Sequence, residues 1–182
     1  MLRLRPYVAK DSETVLSWVK DEETFYKWTA GILGSYPITT EQFGSVRELM
    51  AFTAIEDEEI VGFFTMRRPG NSFDELRFGF VIVNPELRGQ SYGKRMLLLG
   101  LKYAKEIFGA RKVTLGVFEN NEQAFFCYRA AGFREVKTDE MKVYKILGES
   151  WRCRELEYKC TDDTDDKTKE VYRFMLNSLV SF

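Results

Sequence analysis

Histidine is missing from all 182 residues of this chain. With it go the commonest general base near neutral pH and the commonest metal ligand, so Ser-His and Cys-His mechanisms are excluded. Cysteine is scarce: Cys127, Cys153 and Cys160 are odd in number and form no Cys-x-x-Cys pair, which argues against a disulfide framework or a zinc site. No metal is expected. No apolar run approaches the roughly 20 residues that span a bilayer, and the opening Met-Leu-Arg-Leu-Arg-Pro lacks the apolar core of a secretory signal. A cytoplasmic protein with no membrane partner is the expectation. A net charge of -1 supplies no field that would draw the chain to nucleic acid, so partners have to be recognised locally. What the chain does have, 45% hydrophobic and 30% charged residues, suits one soluble domain with a single core.

Patterning gives the order of elements. Leu2, Leu4 and Pro6 open an edge strand, and Asp11 is read as the cap of a helix with Val15, Trp18 and Val19 on one face. A short helical piece over 22–28 follows, then a loop over 29–37, then the capping box Thr39-x-x-Gln42, which starts a helix expected to reach about Leu49. Strands over 50–56 and 60–66 form a hairpin, and a loop over 68–72 leads to a central strand over 76–83. A helix over 93–108 carries Leu97, Leu101, Ala104 and Phe108 on one stripe, and two late strands are expected over about 135–146 and 151–159. Residues 161–169 are polar and unpatterned, a linker to a short amphipathic helix with Val171, Phe174, Met175 and Leu179 on one face. That helix can dock on its own domain or on a second subunit as a homodimer; both readings stay open.

The most informative segment joins the central strand to the helix after it. Val81, Ile82 and Val83 end the strand, and Asn84-Pro85 stops its ladder. Gly89 lets the turn bend close to a ligand, Gly93 does the same at the helix start, and the first helical amides point outward without intrahelical partners. Arg88 and Lys94 add positive charge, so the segment Arg88, Gly89, Gln90, Ser91, Tyr92, Gly93, Lys94 is a candidate diphosphate cradle. It is not a Walker loop, because three residues separate its glycines and Arg95 follows the lysine; the dinucleotide fingerprint fails on glycine spacing. Further on, a strand over 113–118 breaks at Glu119-Asn120-Asn121 before a helix that stops at Gly132. Taken singly, Asn121 reads as a helix N-cap and Tyr128 as a packing residue.

Taken together, Arg88-x-x-Ser91-x-Gly93 and Asn121-x-x-Ala124-x-x-x-Tyr128-x-x-x-Gly132-Phe133 resemble the two cofactor motifs of the GNAT family of N-acetyltransferases. The departure is Ser91, where that family usually has glycine. The resemblance covers nearly the whole chain and implies an α/β fold: a strongly bent mixed sheet of about six to seven strands, helices on both faces, and a splay between the strands that precede Arg88 and Asn121. It implies one domain over residues 1–160 with acetyl-coenzyme A as co-substrate. Backbone amides near Val81, Ile82 and Val83 would polarise the thioester carbonyl, Asn121 and Ala124 would meet the pantetheine arm, and Tyr128 would protonate the departing thiolate. An amine, either a small molecule or a protein N-terminus, would attack directly, with no covalent enzyme intermediate. The Leu-Arg-Pro opening and the region of Trp18 and Trp28 are similar to the ribosomal-protein N-terminal acetyltransferase subgroup.

The base is less legible. Many members of the family carry a glutamate two residues before the glycine of the central strand, where this chain has Arg77. Glu75 and Glu119 are the carboxylates left near the splay, candidates to act through water, although each reads slightly better as a solvated strand-end charge, and Arg77 is read as a fork for an acidic acceptor. The acceptor is expected between the N-terminal helices and the 31–37 loop, with Trp28 and Tyr36 as its aromatic wall. Two rival readings are a catalytically silent acyl-coenzyme A-binding module and a pure interaction protein.

Overall fold

The computed structural model describes residues 1–70, 74–137 and 141–160. Strands β1 (Arg3–Pro6), β2 (Met50–Glu56), β3 (Glu59–Arg67), β4 (Glu75–Val83), β5 (Lys112–Phe118), β6 (Arg134–Glu135), β7 (Lys142–Ile146) and β8 (Glu149–Lys159) make one sheet in the order β1-β2-β3-β4-β5-β8-β6, with β7 also paired to β8. Among the described residues only β4 and β5 pair in parallel; every other neighbour is antiparallel. The helices are α1 (Asp11–Ser17), α2 (Glu22–Thr29), α3 (Thr40–Phe43), α4 (Tyr92–Phe108) and α5 (Glu122–Ala130).

Side chains alternate across a strand, and the two faces of the sheet bury different cores. Phe64, Met66, Leu76 and Phe78 pack with Met96, Leu97, Leu101 and Ala104 of α4 and with Tyr128 of α5. Phe63 packs on the other face with Val15, Trp18, Phe25 and Phe43 from α1 to α3. Strand β4 changes sides partway: Leu76 and Phe78 lie in the first core, whereas Phe80 and Ile82 lie in the second. Even spacing would have kept all four on one face. The switch comes from a bulge, since Phe63 pairs with Ile82 and Thr65 with Gly79, leaving Phe80 and Val81 opposite Phe64 alone, with Phe80 at φ 46.

Three sequence expectations change. The capping box at Thr39 is present, but α3 is a single turn that continues as a 3₁₀ turn over Gly44–Glu48 rather than a helix to Leu49. The strand expected over 135–146 is two short strands, each seated on β8. Asp11 is not the cap of α1 but its first residue, buried, with no solvent to face. Of the loop expected over 68–72, residues 71 and 72 lie outside the described residues, as do the linker and the C-terminal stripe.

Asp11 pins the N-terminal wall to the sheet. Arg5 donates to both carboxylate oxygens at 2.6 and 2.8 Å, the Val8 amide at 3.1 Å and Thr53 Oγ1 at 2.8 Å. Burial alone would raise the Asp11 pKa, but these donors outweigh it and hold the carboxyl below its ordinary value. Asp11→Asn should therefore cost about 2 to 3 kcal/mol in urea unfolding at neutral pH, because Arg5 loses its counter-charge in a part-buried place. A depressed folded pKa means that the contribution is full above the unfolded value, about 4, and is lost as pH falls through the lower folded value. The stability gap between the two proteins should accordingly close in acid; a gap independent of pH contradicts this account.

Candidate active site

Strands β4 and β5 pair only through Glu75↔Lys112, Leu76↔Val113 and Arg77↔Thr114. Yet β4 runs on to Val83 and β5 to Phe118. Beyond Thr114 the two strands part, and their facing backbone groups over 78–83 and 115–118 have no strand opposite among the described residues. A cleft of about 1220 Å³ follows this parting, walled at one end by the turn before α4 and at the other by α2 and the segment after it.

At the first end, Asn84 Oδ1 accepts from the Glu86 amide at 3.1 Å and starts a 3₁₀ turn over Pro85–Leu87. Arg88, Gly89, Ser91, Tyr92, Gly93 and Lys94 then line the cleft. Gln90 does not; its Nε2 donates to the Glu86 carbonyl at 3.4 Å. Arg88 and Lys94 are exposed, and neither is ion-paired among the described residues. Arg95 is a different case, turned to Glu56 at 2.7 Å, and the Tyr92 hydroxyl donates to the same carboxylate at 2.7 Å. Arg95 first and Tyr92 second pull the Glu56 pKa to about 2. Arg95 is therefore a brace between α4 and β2 rather than part of the cradle, and Tyr92 offers the cleft its ring and backbone.

Ser91 sits at φ 63 and ψ 10, the left-handed region, immediately before α4. An L side chain is disfavoured there, which is the physical reason glycine suits this position. Gly93 has a second role besides lining the cleft: a Cβ there would lie 2.7 Å from Cys127 Sγ, so its bareness lets α4 approach α5.

On α5, Asn121 Oδ1 accepts from the Ala124 amide at 3.3 Å, so it is an N-cap. The cap uses the oxygen only and leaves the two Nδ2 donors at the cleft, which both residues line. Tyr128 lines the cleft from a buried position, its ring tilted against Phe133 at 6.4 Å. Burial, then the charges possible on Cys127 and Cys153, push the phenol well above its ordinary pKa, so it keeps its proton throughout the neutral range.

The remaining candidates divide. Glu75 does not line the cleft; Lys112 Nζ holds it at 2.7 Å and Thr114 Oγ1 donates to it at 3.1 Å, on the paired side of the parting, so it is no general base. Glu119 does line the cleft, with Arg154 Nη2 at 3.5 Å. Arg77 also lines it, but its fork is taken: Glu155 receives both Nη1 and Nη2. Trp28 lines the cleft and packs on Phe43 at 5.6 Å and on Phe63 and Phe80 at 6.4 Å, while its buried Nε1 has no acceptor among the described residues. Tyr36 instead rests on Phe25 at 5.9 Å and does not reach the cleft.

Sequence reading missed the floor. Thr65, Gly79 and Gly116 leave it shallow, and a Cβ on Gly116 would meet Cys153 Sγ at 2.9 Å and Arg77 Nη2 at 3.0 Å. Strand parity with Phe63 could have found Thr65 and Arg67; Lys142 and Tyr144 reach the cleft through the seating of β7 on β8, which no local pattern foretells.

A mixed sheet opened between two parallel strands, with a helix start at one end of the opening and a buried phenol beneath it, defines a protein that receives an extended, phosphate-bearing cofactor. The Acetyltransferase (GNAT) family model matches residues 13–133, and the chain belongs to that family. Among solved structures, the fold is shared with the spermidine N-acetyltransferase from Vibrio cholerae in complex with CoA and spermine, at TM-score 0.72 and 15% identity over 87% of this chain and 95% of that one. It is shared too with a ribosomal-protein-alanine N-acetyltransferase from Brucella melitensis, at TM-score 0.69 and 18% identity over 86% and 99%. A mycothiol acetyltransferase from Rhodococcus jostii (strain RHA1) is 32% identical over 93 residues, which take in 50% of this chain and only 30% of that protein. No helix among the described residues is long and apolar enough to cross a membrane.

Two substitutions test the turn. Ser91→Gly relieves a left-handed side chain and should raise stability by about 1 kcal/mol while holding or improving acetyl-coenzyme A affinity; a loss of affinity would assign the hydroxyl to a phosphate. Gly93→Val should lower thermal stability as well as affinity, because Cys127 has to move; retained stability contradicts the packing role.

Proposed function

We propose that this chain is an acetyl-coenzyme A-dependent N-acetyltransferase that passes the acetyl group directly to an amine, a small molecule or a protein N-terminus. The observation that carries the reading is the parting of β4 and β5 after Arg77 and Thr114, whose unpaired edges suit an extended amide-bearing arm as an added strand would. Arg88 and Lys94, with the amides that open α4, suit a diphosphate at its end.

The residues then divide the work. Backbone amides near Val81, Ile82 and Val83, beside the bulge, support the developing negative charge on the thioester oxygen. The amine nitrogen bonds to the carbonyl carbon, the carbon–sulfur bond breaks, and the Tyr128 hydroxyl gives its proton to the departing thiolate. Glu119 accepts the amine proton through water from the end of β5. Residues 1–160 carry this chemistry in the cytoplasm; the homodimer reading depends on the stripe outside the described residues. Two observations favour the silent acyl-coenzyme A-binding module: Glu75 is tied away, and Glu119 already has Arg154 beside it.

Thiol release with a panel of amines decides between them. Tyr128→Phe keeps the packing surface and should lower kcat by about 10²-fold with acetyl-coenzyme A affinity unchanged. Because burial holds the phenol proton, the wild-type rate should rise with amine deprotonation and show no fall below about pH 10. An unaffected kcat makes Tyr128 a core residue, and no release with any amine leaves the silent module. Arg88→Ala should weaken acetyl-coenzyme A binding by about 1 to 2 kcal/mol, the low part of the charge-assisted range because the arginine is exposed. Calorimetry showing equal affinity would remove Arg88 from the cradle.

A further inference from the structure

The acceptor end of the cleft carries a charge pattern that acetyl transfer itself does not require. Phe63, Thr65 and Arg67 share one face of β3, and the register sets Thr65 beside Gly79 and Arg67 beside Arg77. Lys142 of β7, opposite Cys153, and Lys27 of α2 complete the rim. Lys27, Arg67, Arg77 and Lys142 thus line this end against the carboxylate of Glu119, while Glu122 belongs to the start of α5 beside Asn121. Lys27 and Arg77 are answered by carboxylates that do not line the cleft, Glu23 at 2.7 Å and Glu155. Arg67 and Lys142 are exposed, and neither is ion-paired among the described residues. Glu119, the opposing carboxylate, has Arg154 Nη2 at 3.5 Å.

We infer that the acceptor is a small amine that carries an oxyanion, carboxylate or phosphate, on the same molecule, and that Arg67 and Lys142 select it. This rests on the transferase reading above and names its substrate class. A planar guanidinium matches the paired oxygens of a carboxylate or phosphate, and Lys142, on β7 beyond β8, adds positive charge from the other side of the cleft. With the oxyanion held at the rim, the amine end reaches inward along the part of the cleft lined by Thr65, Gly79 and Gly116. A polyamine meets like charge at the same rim, and of the carboxylates that line the cleft among the described residues Glu119 has Arg154 beside it and Glu122 lies at the start of α5. The spermine held by the Vibrio cholerae enzyme is therefore a poor guide to the acceptor of this chain.

The test compares amines of equal chain length: γ-aminobutyrate, n-butylamine and putrescine, with aminopropyl phosphonate as the phosphate arm. Turnover is read as thiol release, and binding of each amine to the coenzyme A-saturated protein is read separately by calorimetry. The anionic amines should exceed n-butylamine in kcat/KM by at least about tenfold and putrescine by more, with the preference shrinking as salt rises. The better of the two anionic probes identifies the oxyanion. In Arg67→Gln and Lys142→Gln the anionic-to-neutral ratio should fall by about tenfold, and in the double variant Arg67→Glu with Lys142→Glu the order should invert in favour of putrescine. Calorimetric preference for the anionic amines without turnover upholds the charge selection and sinks the transferase reading. Turnover that favours putrescine or n-butylamine, or an anionic preference that persists unchanged in the variants, overturns the selection and leaves the transferase standing.

Discussion

Everything at the site follows from where β4 stops pairing with β5. The two strands hold a parallel ladder for three residues each and then separate, because β4 stays with β3 across a bulge while β5 follows the long strand β8. A bulge adds a residue on one strand and sharpens its local twist, so the end of β4 swings away from a neighbour that keeps a regular register with β8. Backbone groups exposed inside a protein need partners. The parting is thus both a cavity and a demand for hydrogen bonds, one that a ligand whose own amides line up along a strand edge would meet.

The same bulge distributes the side chains. Before it, Leu76 and Phe78 face α4; after it, Phe80 and Ile82 face the N-terminal helices and Val81 and Val83 pack toward the α4 side. One strand therefore serves two cores and leaves Gly79, at the changeover, bare over the cleft. Arg77, the last residue of the parallel ladder, is anchored sideways to Glu155 of β8. That bidentate pair ties β4 to β8 across β5 at the point where the strands begin to part, and it also consumes a cation that would otherwise face the acceptor.

How far residues could be read without coordinates depended on whether their roles were local. The turn from Asn84 to Gly93 and the helix from Asn121 to Phe133 are local, and their spacing carried both the family and the ends of the cleft. The capping box at Thr39 was legible for the same reason. Roles that depend on distant partners were not. Arg77 meets a glutamate 78 residues away, and Glu75 is claimed by Lys112 and Thr114, partners that strand parity alone does not reveal. Gly93 reads as a ligand-facing glycine, and its second role is not legible because the sulfur it accommodates lies on another helix. Tyr36 followed the right loop, but its ring turned to Phe25. The bulge itself was hidden because residues 76–83 are apolar or small at almost every position, a pattern indifferent to a change of face.

Hydrogen exchange of the backbone amides, with and without acetyl-coenzyme A, bears most directly on the parted strands as the cofactor seat. Protection should rise in residues 78–83 and 115–118 and at the first turn of α4, while β2, paired on both edges, should not change. Binding that leaves those two strand segments exchanging as before, or that protects the opposite edge of the sheet instead, would contradict the account.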